Sequence, residues 1–231
     1  MDLRVVQLGL IEYEKALFIQ ERLQKQRIEG KCLDTLLLLE HPPVLTMGTR
    51  AESNNIVVPK GLLEKMGVQI IECNRGGDVT YHGPGQIVGY PIIDLKGHGR
   101  DIRSFVHRLE QVFINILSED FGIDSHRGEG KYTGVFVGTD KLTAIGISVS
   151  RWVTMHGFAF NVNTDLSHFQ WIVPCGLQDK GVTSIQKLTG QSYDMNQMNR
   201  RIIKQFETLF DVNIMEVTVE ELLASLEGDD L

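Results

Sequence analysis

Most of the signatures that would settle a function outright are missing from the 231 residues. There is no G-x-x-x-x-G-K-[ST] loop, no G-x-G-x-x-G after a strand, no H-E-x-x-H, no C-x-x-C and no G-x-S-x-G. P-loop nucleotide hydrolysis, Rossmann dinucleotide binding, zincin chemistry and the α/β-hydrolase nucleophile therefore have no support. Cysteine is scarce: three residues, far apart and odd in number, which excludes a disulfide-stapled scaffold and points to a reducing compartment. No apolar run reaches bilayer-spanning length, since the densest, Leu36 to Leu39, stops at Glu40. Positive charge is not in excess either. The 23 basic residues against 30 acidic ones leave −7, which disfavours a nucleic-acid partner held by bulk charge. The start, MDLRVVQLGL, has neither the basic n-region nor the long apolar h-region of a secretory signal. The expectation is a soluble cytoplasmic protein with no membrane and no nucleic-acid partner.

What is present is globular: 42% apolar and 23% charged residues can fill a core that buries roughly 70–75% of the unfolded chain's surface. Glycines sit singly or in tight motifs, not in Gly/Ser tracts, so no linker is expected. The chain reads as a single domain over residues 1–231, with about 190–231 as a C-terminal helical extension packed on it. Strands are expected at Leu3–Leu8, at Thr35–Leu39 (apolar throughout, hence buried on both faces), after the turn at Pro42 and Pro43, and at Val68–Glu72. Further strands are expected at Gln86–Leu95, Thr133–Val137, Leu142–Val149 and Met155–Val162. Within Gln86–Leu95, Gly89 and Pro91 suggest an irregular or edge strand. Apolar spacing predicts helices over Glu12–Ile28, Ser104–Leu117 and Met195–Phe210, the last capped by Asp194. Thr218 with Glu221 makes a capping box for a last short helix. Elements of both kinds without strict alternation predict an α/β protein of the α+β type, with mixed sheets and helices packed against them.

Three segments could carry chemistry. Arg75 to Gln86, RGGDVTYHGPGQ, holds four glycines with Arg75, Tyr81 and His82 in twelve residues. Glycine lets backbone N–H groups approach a ligand, arginine can meet an anion, and histidine offers a titratable ring. Composition alone fits a plain glycine-rich strand connection equally well. Cys175 lies between Pro174 and Gly176, where a tight turn can present a thiol; a nearby cation would favour its thiolate. His82, Lys141, His156 and Lys180 are the candidates, and sequence separation does not say which is near. Arg151 to Phe169 offers Arg151 and Trp152 as an exposed edge and Gly157 as a point of close approach, or simply a core strand.

RGGDVTYHGPGQ, KLTAIG from Lys141 to Gly146, RWVTMHGFAFNV and the PCG at Cys175 occur in that order, between EHPPVLTMG near Glu40 and KGVTSI near Ile185. Together they resemble the octanoyltransferase family, the lipoyl(octanoyl) transferases of lipoate biosynthesis, over roughly two thirds of the chain. The resemblance implies a fold like the biotin and lipoate protein ligase catalytic domains, with Cys175 as thioester nucleophile and Lys141 lowering its pKa. It implies substrate-binding segments at Arg75, Gly76, Gly77, Asp78, Val79, Thr80, Tyr81 and His82, at Ala144, Ile145 and Gly146, and at Gly157, Phe158 and Ala159. Two small departures are Thr143, beside Lys141, and Phe136 in GVFV where Trp is frequent.

The implied donor is octanoyl-acyl carrier protein. The implied acceptors are lysines of the lipoyl domains of 2-oxoacid dehydrogenases and of glycine-cleavage H protein. A thioester is already activated, so no cofactor and no ATP are expected. Backbone N–H groups near Gly76–Gly77 or at Gly176 are candidates for an oxyanion hole. Docking acidic carriers on an acidic chain needs a local cationic face, for which Arg127, Lys131, Arg151, Lys180 and Lys187 are candidates. Two other activities share parts of this pattern: an ATP-dependent ligase that needs no catalytic cysteine, and a non-catalytic acyl-chain or carrier-binding module.

Overall fold

The computed structural model describes residues 1–129, 132–173 and 181–226. In chain order these form β1 (Asp2–Leu10), α1 (Tyr13–Ile28), β2 (Asp34–Glu40), β3 (Val44–Met47), α2 (Lys60–Lys65), β4 (Gln69–Glu72), β5 (Val79–His82), β6 (Gln86–Ile92), α3 (Ile102–Phe121), β7 (His126–Arg127), β8 (Gly134–Val137), β9 (Asp140–Ser150), β10 (Val153–Asn161), α4 (Ile185–Thr189), α5 (Met195–Phe210), β11 (Asn213–Glu216) and α6 (Val219–Leu226). Among the described residues, eight strands make one mixed sheet in the order β11-β1-β2-β6-β10-β9-β8-β7, and β4-β3-β5 make a second, smaller one. β1 runs parallel to β2 and β11, and the pairs from β2 to β7 are antiparallel. None of the described helices is long and apolar enough to cross a membrane.

The run TLLLL of β2 is buried on both faces because helices cover both. Leu36 and Leu38 pack in the core under α3 and α5, with Phe105, Phe113, Ile202 and Phe206. Leu37 and Leu39 pack in the core under α1 and α6, with Ile19, Leu23 and Leu222. Each such buried leucine is worth roughly 1.5–3 kcal/mol over exposure. The caps read from sequence at Asp194 and at Thr218 with Glu221 are present, and Asp101 caps α3 in the same way. Asp101 accepts the Ser104 N–H at 3.0 Å and Asp194 the Gln197 N–H at 2.8 Å. Thr218 and Glu221 form the reciprocal box, with N–H···O distances of 2.9 and 3.2 Å. α3 ends on Gly122 at φ +63°, the left-handed conformation that costs glycine least.

One reading is corrected. β6 is no edge strand: it lies between β2 and β10, and all its residues are buried. The irregularity at Gly89 and Pro91 is real, however. Regular β6–β10 pairing stops at Gly89–Phe158, where Pro91 offers no N–H. Beyond it the Thr154 hydroxyl takes over, donating to Pro91 O at 2.6 Å and accepting the Ile93 N–H at 2.9 Å. His156 opposite takes φ +59°. The C-terminal stretch also contributes more than helix: β11 pairs with β1, and Met198, Ile202, Phe206 and Phe210 of α5 sit in the main core.

Candidate active site

A cavity of about 1140 Å³ opens where the small sheet, β9, β10 and the first turns of α3 meet. Three of the four sequence segments converge on it. Its wall includes Arg75 to Thr80 and His82, then Lys141, Ala144, Ile145 and Gly146, then Gly157, Phe158 and Ala159. Tyr81 is not among the lining residues. It faces the core of the small sheet, stacked edge-on against Phe169 and Trp171, with its hydroxyl 2.7 Å from His168 Nδ1. Arg151 and Trp152 form the β9–β10 turn, both at positive φ and away from the lining. Cys175 and Lys180 lie outside the described residues, as does Lys131. The residues that flank 174–180, Val173 and Gly181, both line the cavity.

The glycines are explained by backbone packing. A Cβ on Gly146 would lie 2.5 Å from Gly76 O, and one on Gly48 would lie 2.6 Å from Gly77 O. The Arg75–Gly77 segment is thus wedged between β9 and the end of β3, with no room for side chains on either side. A Cβ on Gly157 would lie 2.1 Å from Gly89 O, so close strand packing already accounts for that glycine. The Gly76 N–H donates to Ile147 O at 3.0 Å. It is therefore spent on the scaffold and unavailable to an oxyanion.

Arg75 is nearly buried and turned inward. Its Nε and Nη2 donate to the Thr46 hydroxyl at 3.1 and 3.0 Å, Nη2 to Thr46 O at 2.7 Å, and Nη1 to Gly76 O at 3.2 Å. Its charge reaches the two histidines of the cavity wall. Burial first, then the nearby Arg75 cation, holds His156 down to about 4. Burial, His41 and Arg75 together push His82 well below its ordinary value. Both rings are neutral near pH 7, so neither supplies a cation to a thiolate there. Of the candidates named from sequence that the structure describes, Lys141 alone remains for that role.

Lys141 opens β9 on the cavity wall. Its Nζ donates to Thr133 O at 3.4 Å and lies 5.3 Å from the Phe136 ring centre. Its backbone is tied on the other side to the chain leaving the PCG segment. The Lys141 N–H donates to Gly181 O, and Lys141 O accepts the Thr183 N–H, each at 3.0 Å. That strand-like contact holds Gly181 to Thr183 against the lysine.

A buried polar chain along the cavity wall links three of the quoted segments to one another. His82 Nδ1 meets Gln86 Oε1 at 2.8 Å, Gln86 Nε2 donates to Asn161 Oδ1 at 2.9 Å, and Asn161 Nδ2 to Thr183 O at 3.1 Å. Buried polar groups of this kind fix backbone positions because leaving one unpaired is costly. The motifs contain Gln86 and Asn161, but their spacing in sequence does not show that the two side chains bond to each other. The cationic candidates are scattered: Lys187 lines the cavity and pairs with Asp140 at 3.6 Å, while Arg127 pairs with Glu110 at 3.4 Å. The lining adds Arg50 and Arg103, which the sequence did not single out.

Residues 12–207 match the family model of the lipoyl protein ligase A/B catalytic domain, and the chain belongs to that family. Within it, the octanoyltransferase of Desulforamulus reducens is 56% identical over 211 residues, covering 91% of this chain and 92% of that one. The octanoyltransferase of Caldicellulosiruptor saccharolyticus is 53% identical over 222 residues, covering 96% and 94%. The chain is an enzyme of the octanoyltransferase type. Its fold is shared by a lipoate protein ligase of Thermoplasma acidophilum (TM-score 0.73, 16% identity, 98% of this chain and 91% of that one). The biotin protein ligase of Aquifex aeolicus is more distant (TM-score 0.53, 13% identity, 91% and 70%).

Proposed function

We propose that the chain moves an octanoyl group from octanoyl-acyl carrier protein to the lysine ε-amine of lipoyl domains and glycine-cleavage H protein, through a thioester on Cys175. The thiolate attacks the donor's thioester carbonyl, and the tetrahedral oxyanion collapses to expel the carrier's thiol. Lys141, as ammonium, favours the thiolate and hands its proton to the departing sulfur. It is then a neutral amine. The acceptor lysine attacks the new thioester, an amide forms, the Cys175 thiolate leaves, and Lys141 takes the amine's proton. Each cycle returns cysteine and lysine to their starting states. Gly77, whose N–H bonds to no described residue, is the remaining backbone donor of that segment for the oxyanion.

The observation that carries this reading is the tie between Lys141 and Gly181–Thr183 at the cavity wall. It joins the candidate base to the chain that follows the PCG segment directly in sequence. Octanoyl transfer from octanoyl-carrier protein to a purified lipoyl domain, without ATP, tests it. Wild type should transfer, and Cys175→Ala and Lys141→Ala should fall by at least about a thousandfold. A Cys175→Ala enzyme as fast as wild type, or turnover only with free octanoate and ATP, would reject it in favour of the ligase chemistry.

A further inference from the structure

Glu110 sits on the buried side of α3, lines the cavity, and is only 3% exposed. Its Oε1 accepts the Gly134 N–H at 3.1 Å. The carbonyl of that same peptide unit, Thr133 O, accepts from Lys141 Nζ at 3.4 Å. One amide plane therefore has a carboxylate on its N–H and an ammonium on its oxygen. A carboxylate at an N–H polarises the peptide and makes its oxygen a stronger acceptor.

The arrangement is built with some force. Gly134 is at φ +132°, and a Cβ there would lie 2.2 Å from Thr143 O, so no side chain can stand at this position. The pairing of β8 with β9 slips between Val135 and Phe136: Val135 faces Thr143, but Phe136 faces Lys141. The extra residue, Leu142, makes a bulge next to Lys141, a device that redirects side chains. A glutamine at 110 would accept the same N–H without the cost of burying a charge, and burial does press the Glu110 carboxyl upward. Arg127 Nε, 3.4 Å from Oε2, offsets that cost from the outer side.

We infer that Glu110 is a positioning residue, holding the Lys141 ammonium on the cavity wall through the Thr133–Gly134 peptide. The inference rests on the proposed catalytic role of Lys141 for its functional consequence, but the coupling itself is measurable without turnover. The probe is the Lys141 side chain, titrated by NMR as its ¹³C-dimethyl derivative and assigned with Lys141→Arg. Glu110→Gln keeps the shape and the oxygen on the Gly134 N–H, removes the charge, and replaces the oxygen facing Arg127 with an amide NH2. The Lys141 midpoint should fall by at least about half a pH unit in Glu110→Gln, and the acid limb of acyl-enzyme discharge by a lipoyl domain should move the same way. In unmodified wild type the Gly134 amide ¹⁵N signal should shift through the lysine titration, which needs no variant. A Lys141 midpoint unchanged in folded Glu110→Gln, or a Gly134 signal flat through that titration, overturns the inference. A Lys141 shift in an enzyme that never acylates Cys175 would keep the coupling and reject the transfer mechanism.

Discussion

Mild acid should weaken this fold well before its carboxylates titrate. His41 is fully buried, its Nδ1–H donating to Ile11 O at 2.7 Å and its Nε2 accepting from the Tyr90 hydroxyl at 2.8 Å. Protonating Nε2 removes that acceptor, and burial holds His41 down to about 4. His156, 1% exposed, is likewise held to about 4. The unfolded chain takes up these protons near pH 6.5. The folded state is thus the poorer proton binder, and the stability each neutral ring contributes is lost as pH falls from about 6.5 toward 4. A group with these two values loses about 1.8 kcal/mol between pH 7 and pH 5, so the pair loses about 4 kcal/mol. His82, depressed for the same reason, adds to the loss, while Glu110, pressed upward, opposes it. Urea unfolding at the two pH values measures the difference, and His41→Gln should remove nearly half of it. A wild-type loss under about 1 kcal/mol, or an unchanged loss in His41→Gln, would refute the assignment of buried neutral rings.

Further outcomes follow from the same geometry. Gly146→Ala pushes a methyl to within 2.5 Å of Gly76 O; it should cost about 1–3 kcal/mol and cut octanoyl transfer more than tenfold, with a wild-type melting curve and rate as the contrary result. Arg75→Lys exchanges the planar fork on Thr46 for one rotatable ammonium; a stability loss of about 1–3 kcal/mol is expected in chemical denaturation, and a neutral substitution would mean that the Thr46 bonds do not stabilise the fold. Alkylation of Cys175, followed by peptide mapping to separate it from Cys32 and Cys73, should stay fast below the free-thiol midpoint of roughly 8.5. A profile centred on an ordinary thiol and indifferent to Lys141→Ala would remove the lysine from that role.

The sequence carried the parts of the fold that rest on local patterning. Continuous apolar β2, the 3.6-residue repeat of α3 and α5, and the Asp and Thr caps are all visible as residues at fixed spacings. It did not carry β11, whose four residues NIME are mostly exposed and are held by pairing with β1 and by Ile214 against the main core. Nor could it place Pro91 in a central strand, because the Thr154 hydroxyl that repairs the ladder is sixty-three residues away. The glycine motifs pointed to a site, yet the structure gives many of those glycines a packing reason, Gly146 against Gly76 and Gly157 against Gly89. Glu110 was invisible for the opposite reason: one carboxylate in a helix looks like a solvated surface charge until its neighbours across the sheet are known.

Octanoyl transfer by this route requires a covalent octanoyl group on Cys175. Intact-protein mass spectrometry after mixing the chain with octanoyl-acyl carrier protein alone, beside Cys175→Ala, reads it directly. One octanoyl group on wild type, absent from the variant and discharged by a lipoyl domain, is the predicted result; folded wild type that carries no adduct in the presence of active donor would contradict it.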